Sequence, residues 1–408
     1  MSRTYYVDGI QGVSLRSGLS PEEAVASYRD LCIEAGDSIL FRRGSFFRDV
    51  LELPCGTSDA PLYCGAYGEG EKPTFCGSIR ADSPAQWREV RENIWEFADE
   101  LTSEPGNIIF EDDVCGVLAW EEADLTKADR WHYTAMAGDM PRRFFKGSLL
   151  LYSVGNPALR HASIEIALYG KRHMVSCREN AIFEDLAFIN SAVHGYGDTN
   201  VRNITFRDCD FRMIGGIVWS KELKIRFGNG VECWQSGENV RVEGCLFDQI
   251  YDSCVTHQGD GERAGLAVNI AYVGNTFKNF GMAAYEARDK VGINVRFENN
   301  VCLGAGEGFS LQDETPPRRS EIWPQPMGHH IFIWRMNHAT EGGSISIRNN
   351  IFGTAPYGAA IYSIVHPDAE AQILRSGNRY EKSDGLLVRW NGQNFSARQL
   401  DGRDPDTL

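Results

Sequence analysis

The chain has 408 residues, of which 42 % are hydrophobic and 24 % charged, a composition typical of a globular protein with a large core and unlike that of a disordered chain. Its 41 lysines and arginines against 56 aspartates and glutamates leave a net charge of −15, which disfavours nucleic acid as a ligand. No apolar run is long enough to span a membrane and the first residues lack a secretory pattern, so we expect no membrane partner and a cytoplasmic location, or a secreted one if a signal peptide has been removed.

The cysteines favour a reducing compartment. Eleven is an odd number, no two are spaced as C-x-x-C, and several fall within apolar strand patterns. We interpret them as small buried hydrophobic residues and not as disulfides. Self-association stays open, and a homo-oligomer is compatible with the sequence.

The amino-terminal region carries a helix signal. Ser20, Pro21 and Glu23 occupy the positions of an N-cap, a first-turn proline and a capping glutamate, and apolar residues follow at helical spacing. This pattern predicts an amphipathic helix over 20–35. Short apolar strands follow at 37–41, 49–53 and 61–64, so the helix is expected to cap a stack of strands whose open end needs covering.

The segment 84–136 departs from the strand pattern around it. It is acidic and contains Trp87, Trp95, Trp120 and Trp131. Because disordered segments seldom carry so many tryptophans, we predict an inserted β segment that leans on the stack of strands.

An internal repeat organises 180–360. Six copies share one template: each has a polar start, four residues of alternating polarity, a turn residue and a closing apolar residue. The copies lie at 180–188, 203–211, 239–247, 269–277, 294–302 and 344–352. Alternation with period two is typical of strands, and the copies start 23, 36, 30, 25 and 50 residues apart, as coils with loops of variable length at one corner would. The repeat predicts a parallel β-helix, with Asn275, Asn300 and Asn350 stacked inward at a corner.

Several segments resemble known proteins. The segments 6–9, 17–23, 36–44, 65–73, 149–157 and 164–166 are similar to the opening and middle of right-handed parallel β-helix proteins of the pectate-lyase-like superfamily. The resemblance implies an all-β fold over the whole chain, 1–408, as one right-handed solenoid. It also implies a carbohydrate-active protein, although the superfamily includes polysaccharide lyases, glycoside hydrolases, epimerases and phage depolymerases.

A second strand follows each repeat, at 231–234, 255–258, 285–288 and 309–312. Side chains alternate along a strand, so if the first and third positions face inward, two files of side chains face outward. The predicted files are Glu232, Thr256, Glu286 and Ser310, and beside them Trp234, Gln258, Arg288 and Gln312.

Carboxylates, an indole, a guanidinium and amides on one face suit a sugar. In a glycoside hydrolase Glu232 and Glu286 would be the acid and the base, and we expect Arg288 to keep Glu286 ionised as the base. Two strand spacings put their backbones about 9.6 Å apart, which favours an inverting mechanism. The predicted binding shell is Trp234, Gln258, Arg288, Gln312, His194, Asp252, His257 and His330, although His257 falls at an inward position.

Two other functions stay open. A polysaccharide lyase, cleaving a uronate glycan by β-elimination, would use Arg288 or Arg226 as base, with calcium held by Asp248 and Asp252; the hydrolase reading needs no cofactor. A non-catalytic glycan-binding solenoid would need the fold alone. The substrate we expect is a neutral oligosaccharide, and the connections 213–230 and 313–328 are predicted to wall the cleft.

Overall fold

The computed structural model describes residues 2–136, 146–170, 173–312, 327–356, 360–381 and 388–395. Its coils stack in three parallel sheets around a single core, and each complete coil adds one strand to sheets 1, 2 and 3 in turn. The predicted all-β fold is confirmed. No helix in these residues is long and apolar enough to cross a membrane.

Sheet 1 pairs strands in parallel throughout. Its strands are Thr4–Val7, Ser38–Arg42, Leu62–Tyr67, Glu179–Glu184, the second parts of His194–Arg207 and Val231–Glu243, Ala267–Val273, Ile293–Glu298, Ile345–Arg348 and Ile373–Ser376.

Sheet 2 follows sheet 1 along each coil. Its strands are Phe46–Phe47, Thr74–Cys76, Ala187–Ser191, Asp210–Ile214, Leu246–Ile250, Thr276–Phe280, Val301–Ala305, Ile351–Phe352 and Arg379–Tyr380.

Sheet 3 completes the coil. Its strands are Leu51–Glu52, His173–Ser176, the first parts of His194–Arg207 and Val231–Glu243, Ser253–Gln258, Ala283–Arg288, His329–Met336, Ile361–Val365, Val388–Trp390 and the antiparallel Gln393–Phe395.

Like residues stack from coil to coil inside the solenoid. In sheet 2, Phe188, Phe211, Phe247 and Phe277 form successive ring pairs with centroids 5.3, 4.9 and 5.1 Å apart. The closing apolar residue of the repeat is therefore the residue that fills the core.

The predicted asparagine stack is present and buried. The backbone N–H of Asn275 donates to Oδ1 of Asn300, and that of Asn300 to Oδ1 of Asn350, both at 2.9 Å. Asn378 extends the stack by one coil. These bonds satisfy backbone groups at the corner that the sheets leave unpaired.

The amino-terminal cap differs from the prediction. Instead of a helix over 20–35, the chain forms two 3-10 turns, Pro21–Glu23 and Tyr28–Asp30, with Ser20 accepting from the Glu23 N–H as expected of an N-cap. Between them Val25 is extended, because its backbone pairs with Tyr6 and Asp8 at the open edge of sheet 1. Val25 and Tyr28 still cover the core, so the capping role is kept without the helix.

The Trp-rich segment belongs to a longer insertion. The chain leaves sheet 2 at Cys76 and returns to sheet 3 at His173, so the inserted residues extend beyond the predicted 84–136 on both sides. Trp87 and Trp131 pack in a core separate from that of the solenoid. Its strands are Ser78–Arg80, Trp87–Arg91, Ile94–Phe97, Pro105–Phe110, Val114–Cys115, Val117–Leu118, Arg130–Tyr133, Leu149–Tyr152 and Ile164–Leu168.

The long connections leave the solenoid at one corner, where sheet 2 passes to sheet 3. The insertion, the connection after Ile214 and the connection after Ala305 all begin there. The connection after Ile214 contains a hairpin of Ile217–Ser220 with Ile225–Phe227. Sheet 3 is thus the face that loops surround. The remaining short helices are Pro84–Gln86, Glu122–Asp124, Pro157–Arg160, Gly261–Arg263, Gly308–Ser310 and Pro367–Glu370.

Candidate active site

The register of sheet 3 sets the first outward file. Glu232 pairs with Thr256, Thr256 with Glu286, and Glu286 with Phe332. The first three members are those predicted, but Phe332 takes the place expected for Ser310. Ser310 lies in the turn Gly308–Ser310, because the strand that follows Ala283–Arg288 in the sheet is His329–Met336.

A pocket of about 660 Å³ opens over this face. Both glutamates line it, together with His194, Trp234, Asp252, Gln258 and Arg288 from the predicted shell. Its other described lining residues are His173, Gly197, Asp198, Thr199, Trp219, Ile225, Phe227, Asn229, Met282, Met327, Phe332 and Trp334.

Glu286 is a buried carboxyl group with a raised pKa. Oε1 accepts from the Trp334 indole N–H at 2.8 Å and Oε2 from the Ser253 hydroxyl at 3.0 Å. Burial raises the pKa of Glu286 and Asp252 raises it further, while Arg288 and the hydrogen bonds from Trp334 and Ser253 lower it. Arg288 therefore acts in the expected direction, but burial outweighs it, so the pKa of Glu286 lies above its ordinary value.

Glu232 is held by amides. The Asn229 side-chain amide donates to Glu232 Oε2, and Gln258 donates to the same oxygen at 3.1 Å. The orientation of the Asn229 amide is determined because its Oδ1 accepts the Ser253 backbone N–H at 3.0 Å. These donors fix the orientation of the Glu232 carboxyl group in the pocket.

Asn229 also fixes His194. Its backbone N–H donates to His194 Nδ1 at 3.0 Å, so that nitrogen carries the lone pair and the ring proton belongs on Nε2. The same Nδ1 lies 3.8 Å from Glu232 Oε2, and the ring stacks on His173 with centroids 5.5 Å apart. The two neighbours of Asn229 are Gly228 and Gly230, and neither position has room for a side chain, since a Cβ there would lie within 2.4 Å of backbone atoms.

Arg288 is sandwiched between two indoles. Its guanidinium carbon lies 5.5 Å from the Trp234 ring centroid and 5.3 Å from that of Trp334. In the plane of the guanidinium it donates to the Gly259 carbonyl at 2.9 Å and to Asp289 at 3.3 Å. Arg288 thus holds Trp234 and Trp334 in place at the floor of the pocket.

Two predicted shell residues belong to the core. His257 points inward between Cys233 and Ala287, and neither ring nitrogen has a hydrogen-bond partner among the described residues. His330 donates from Nε2 to the Gly353 carbonyl and stacks on Phe352. Burial lowers the pKa of each to about 4, so both are neutral core side chains outside the pocket.

Gln312 is also outside the pocket. Its side-chain oxygen accepts the Leu118 backbone N–H at 3.1 Å, so it attaches the turn after Ala305 to the insertion. Of the two connections expected to wall the cleft, the first supplies Trp219, Ile225 and Phe227. The second supplies Met327, and its residues 313–326 lie outside the described residues.

The residues proposed for a lyase are separated. Asp248 lies on sheet 2 and accepts from Asn279 at 2.8 Å, whereas Asp252 lines the pocket on sheet 3. Arg226 is buried away from the pocket lining. In the described ranges no three or more histidine, cysteine, aspartate or glutamate side chains group as a metal site.

Sequence reasoning missed Asn229, Trp334, Phe332 and His173. Asn229 carried a signal, since an asparagine between two glycines directly before a strand indicates tight backbone packing. Trp334 and Phe332 were missed because 309–312, whose residues alternate in polarity, was chosen as the next strand, whereas the apolar run 331–334 is the segment that pairs with Ala283–Arg288.

Solved structures resemble this chain over nearly its whole length. XylC, solved in complex with xylose, is 13 % identical over 95 % of this chain with a TM-score of 0.54, and this chain spans 63 % of XylC. A glycoside hydrolase is 9 % identical over 96 % of this chain and 95 % of its own, with a TM-score of 0.52. The chain has the right-handed parallel β-helix fold. The solenoid fold predicted from the repeat is therefore confirmed.

Sequence comparisons give no relative. No family model matches the chain, and no curated protein matches it significantly.

Proposed function

We propose that this β-helix protein is a glycoside hydrolase that cleaves an oligo- or polysaccharide on the outer face of sheet 3, with Glu286 as general acid and Glu232 as general base. The observation that carries the proposal is the unequal environment of two carboxyl groups in one pocket. A hydrolase needs one carboxyl group protonated and the other ionised, and a buried Glu286 with a raised pKa beside an amide-bound Glu232 supports that division.

Glu286 suits the acid. It is 2 % exposed, and burial raises its pKa, which keeps a proton available for the leaving oxygen. The Trp334 indole and the Ser253 hydroxyl hold the carboxyl group in one orientation.

Glu232 suits the base. The amides of Asn229 and Gln258 support its carboxylate, and His194 lies beside it with Nδ1 3.8 Å from Oε2. These roles are the reverse of those expected from Arg288 alone.

The spacing favours inversion. Glu232 and Glu286 lie two strands apart in sheet 3, so their backbones are separated by about 9 to 10 Å. Inverting enzymes place their carboxyl groups about 6.5 to 9.5 Å apart, which leaves room for the attacking water.

The arginines considered as lyase bases are engaged elsewhere. Arg226 donates to the carbonyls of Gly216 and Gly106 at 2.5 and 2.9 Å, and Arg288 is stacked and hydrogen-bonded as described. This favours hydrolysis over elimination.

The test is activity on a panel of neutral and uronate glycans. Hydrolysis gives new reducing ends without ultraviolet absorbance, whereas elimination leaves a C4–C5 double bond that absorbs. Glu286→Gln and Glu232→Gln should each lower turnover at least about a hundredfold. The control is Glu238→Gln, which removes an exposed glutamate paired with Arg202 on sheet 1.

The outcomes separate the alternatives. An absorbing product that either variant abolishes would move the enzyme to the lyases. Near-normal turnover in both variants would remove the glutamates from the chemistry. Glycan binding without any product would leave a binding solenoid.

A further inference from the structure

The three tryptophans that line the pocket differ in what covers their rings. Arg288 lies over Trp234 and over Trp334, and Trp334 also has Arg335 at 5.4 Å and Phe332 stacked at 5.4 Å. Trp219 is 48 % exposed and makes no ring stack or cation contact with the described residues. It is thus the most exposed indole among the described residues that line the pocket.

The hairpin that carries Trp219 is firmly held. Val218 is buried in the core of the insertion, and Arg226 on the opposite strand is buried with its guanidinium 4.7 Å from the Tyr251 ring. Lys221 at the turn of the hairpin forms an ion pair with Glu121 of the insertion at 3.4 Å. The exposure of Trp219 is therefore set by a fixed support and not by a loose loop.

An exposed indole on a fixed support is suited to binding. A large apolar ring left in water gains free energy when a ligand covers it, and a rigid aromatic loses little conformational entropy on binding. In a pocket that also holds carboxyl and amide groups, the ligand that offers both an apolar face and hydroxyl groups is a pyranose.

We propose that Trp219 is the platform of a second sugar subsite, which binds a pyranose ring next to the one whose bond is cleaved at Glu232 and Glu286. The substrate is then an oligosaccharide of at least two units, and Trp219 determines the preference for chain length. The location of this subsite relative to the cleaved bond rests on the proposed function.

The test compares Trp219→Ala and Trp219→Phe with Phe46→Ala, which removes an equally exposed aromatic ring outside the pocket lining. Binding is measured by isothermal titration in the Glu286→Gln background, which needs no turnover. The probes are chains of one to six units of whichever panel glycan is cleaved or, if none is, of cello-, xylo- and galacturono-oligosaccharides.

Trp219→Ala should weaken binding of chains of two or more units about tenfold or more, as expected for loss of an aromatic anchor, and leave monosaccharide binding unchanged. Trp219→Phe should retain most of the affinity. With otherwise wild-type enzyme, KM for the chains should rise while kcat and the kinetics on an aryl monoglycoside stay unchanged.

Equal affinity of Trp219→Ala and the parent for all chain lengths would overturn the subsite. An equal loss for monosaccharides would do the same, since it would indicate general damage to the pocket. If no glycan is cleaved but the length-dependent loss is seen, the proposed hydrolysis fails and the subsite stands.

Discussion

The two buried histidines predict how the fold responds to acid. His257 and His330 have pKa values of about 4 against an ordinary 6.5, because burial disfavours the charged ring. As the pH falls, the two histidines take up protons in the unfolded chain before they do so in the folded protein. The free energy of unfolding therefore keeps their full contribution above pH 6.5 and loses it as the pH drops toward 4. A pKa difference of about 2.5 corresponds to about 3 kcal/mol for each histidine.

The perturbation is His257→Leu, which removes the titrating ring. At pH 5 the linkage amounts to about 2 kcal/mol, so the unfolding free energy of the variant should fall by about 2 kcal/mol less than that of the parent between pH 7.5 and pH 5. Urea unfolding at both pH values measures this difference, and the packing cost of the substitution cancels because it is present at both.

Two further variants complete the experiment. His330→Leu should show the same reduced pH dependence, and the exposed His338→Leu should not. KM of His257→Leu for any cleaved glycan should stay within about twofold of the parent, since the His257 ring points into the core and does not line the pocket. An unchanged pH dependence in His257→Leu, or loss of substrate binding alone, would refute the placement of this ring in the core.

Three further predictions concern the pocket. The pKa of Glu286 is raised above 4.5 in the folded protein, so the stability contributed by its protonated form is lost as the pH rises through that folded-state pKa. Glu286→Gln should therefore become more stable relative to the parent with increasing pH, which thermal unfolding measures. Asp289→Asn leaves the positive charge of Arg288 unbalanced and should move the alkaline limb of kcat/KM down by roughly one pH unit, with Asp260→Asn as the exposed control. Asn229→Asp keeps the acceptor for Ser253 but sets an oxygen against Glu232, so kcat/KM should fall at least about tenfold, whereas Asn269→Asp on sheet 1 should have no effect.

The coils could be predicted because their signals are local and repeated. Each copy places an apolar side chain at the positions occupied by Phe211, Phe247 and Phe277. Because these positions recur in every copy, the assignment of each strand is supported by the others. The paired glutamates followed from the same alternation, since a strand fixes which side chains share a face.

Tertiary contacts decided what the sequence could not. Val25 is extended because an open sheet edge offers its backbone partners that outweigh a local helix signal. Residues 309–312 alternate in polarity and 331–334 are all apolar, so local periodicity favoured the segment that does not pair with Ala283–Arg288.

The ionisation of Glu286 was also beyond local reasoning. Its neighbour Arg288 is visible in the sequence, but the burial that outweighs Arg288 depends on the tertiary structure, as do the hydrogen bonds from Trp334 and Ser253 that lower the pKa.

The most direct test of the central claim is the dependence on leaving group. When the leaving group of an aryl glycoside is an acidic phenol, it departs with little help from a general acid. On that substrate the kcat/KM of Glu286→Gln should therefore stay within about tenfold of the parent value, whereas on the natural linkage it should fall at least about a hundredfold. Glu232→Gln should lose at least about a hundredfold on both, because the attacking water needs its base in either case. Equal losses of Glu286→Gln on both substrates, or retention of aryl glycoside activity by Glu232→Gln instead, would contradict the assignment of acid and base.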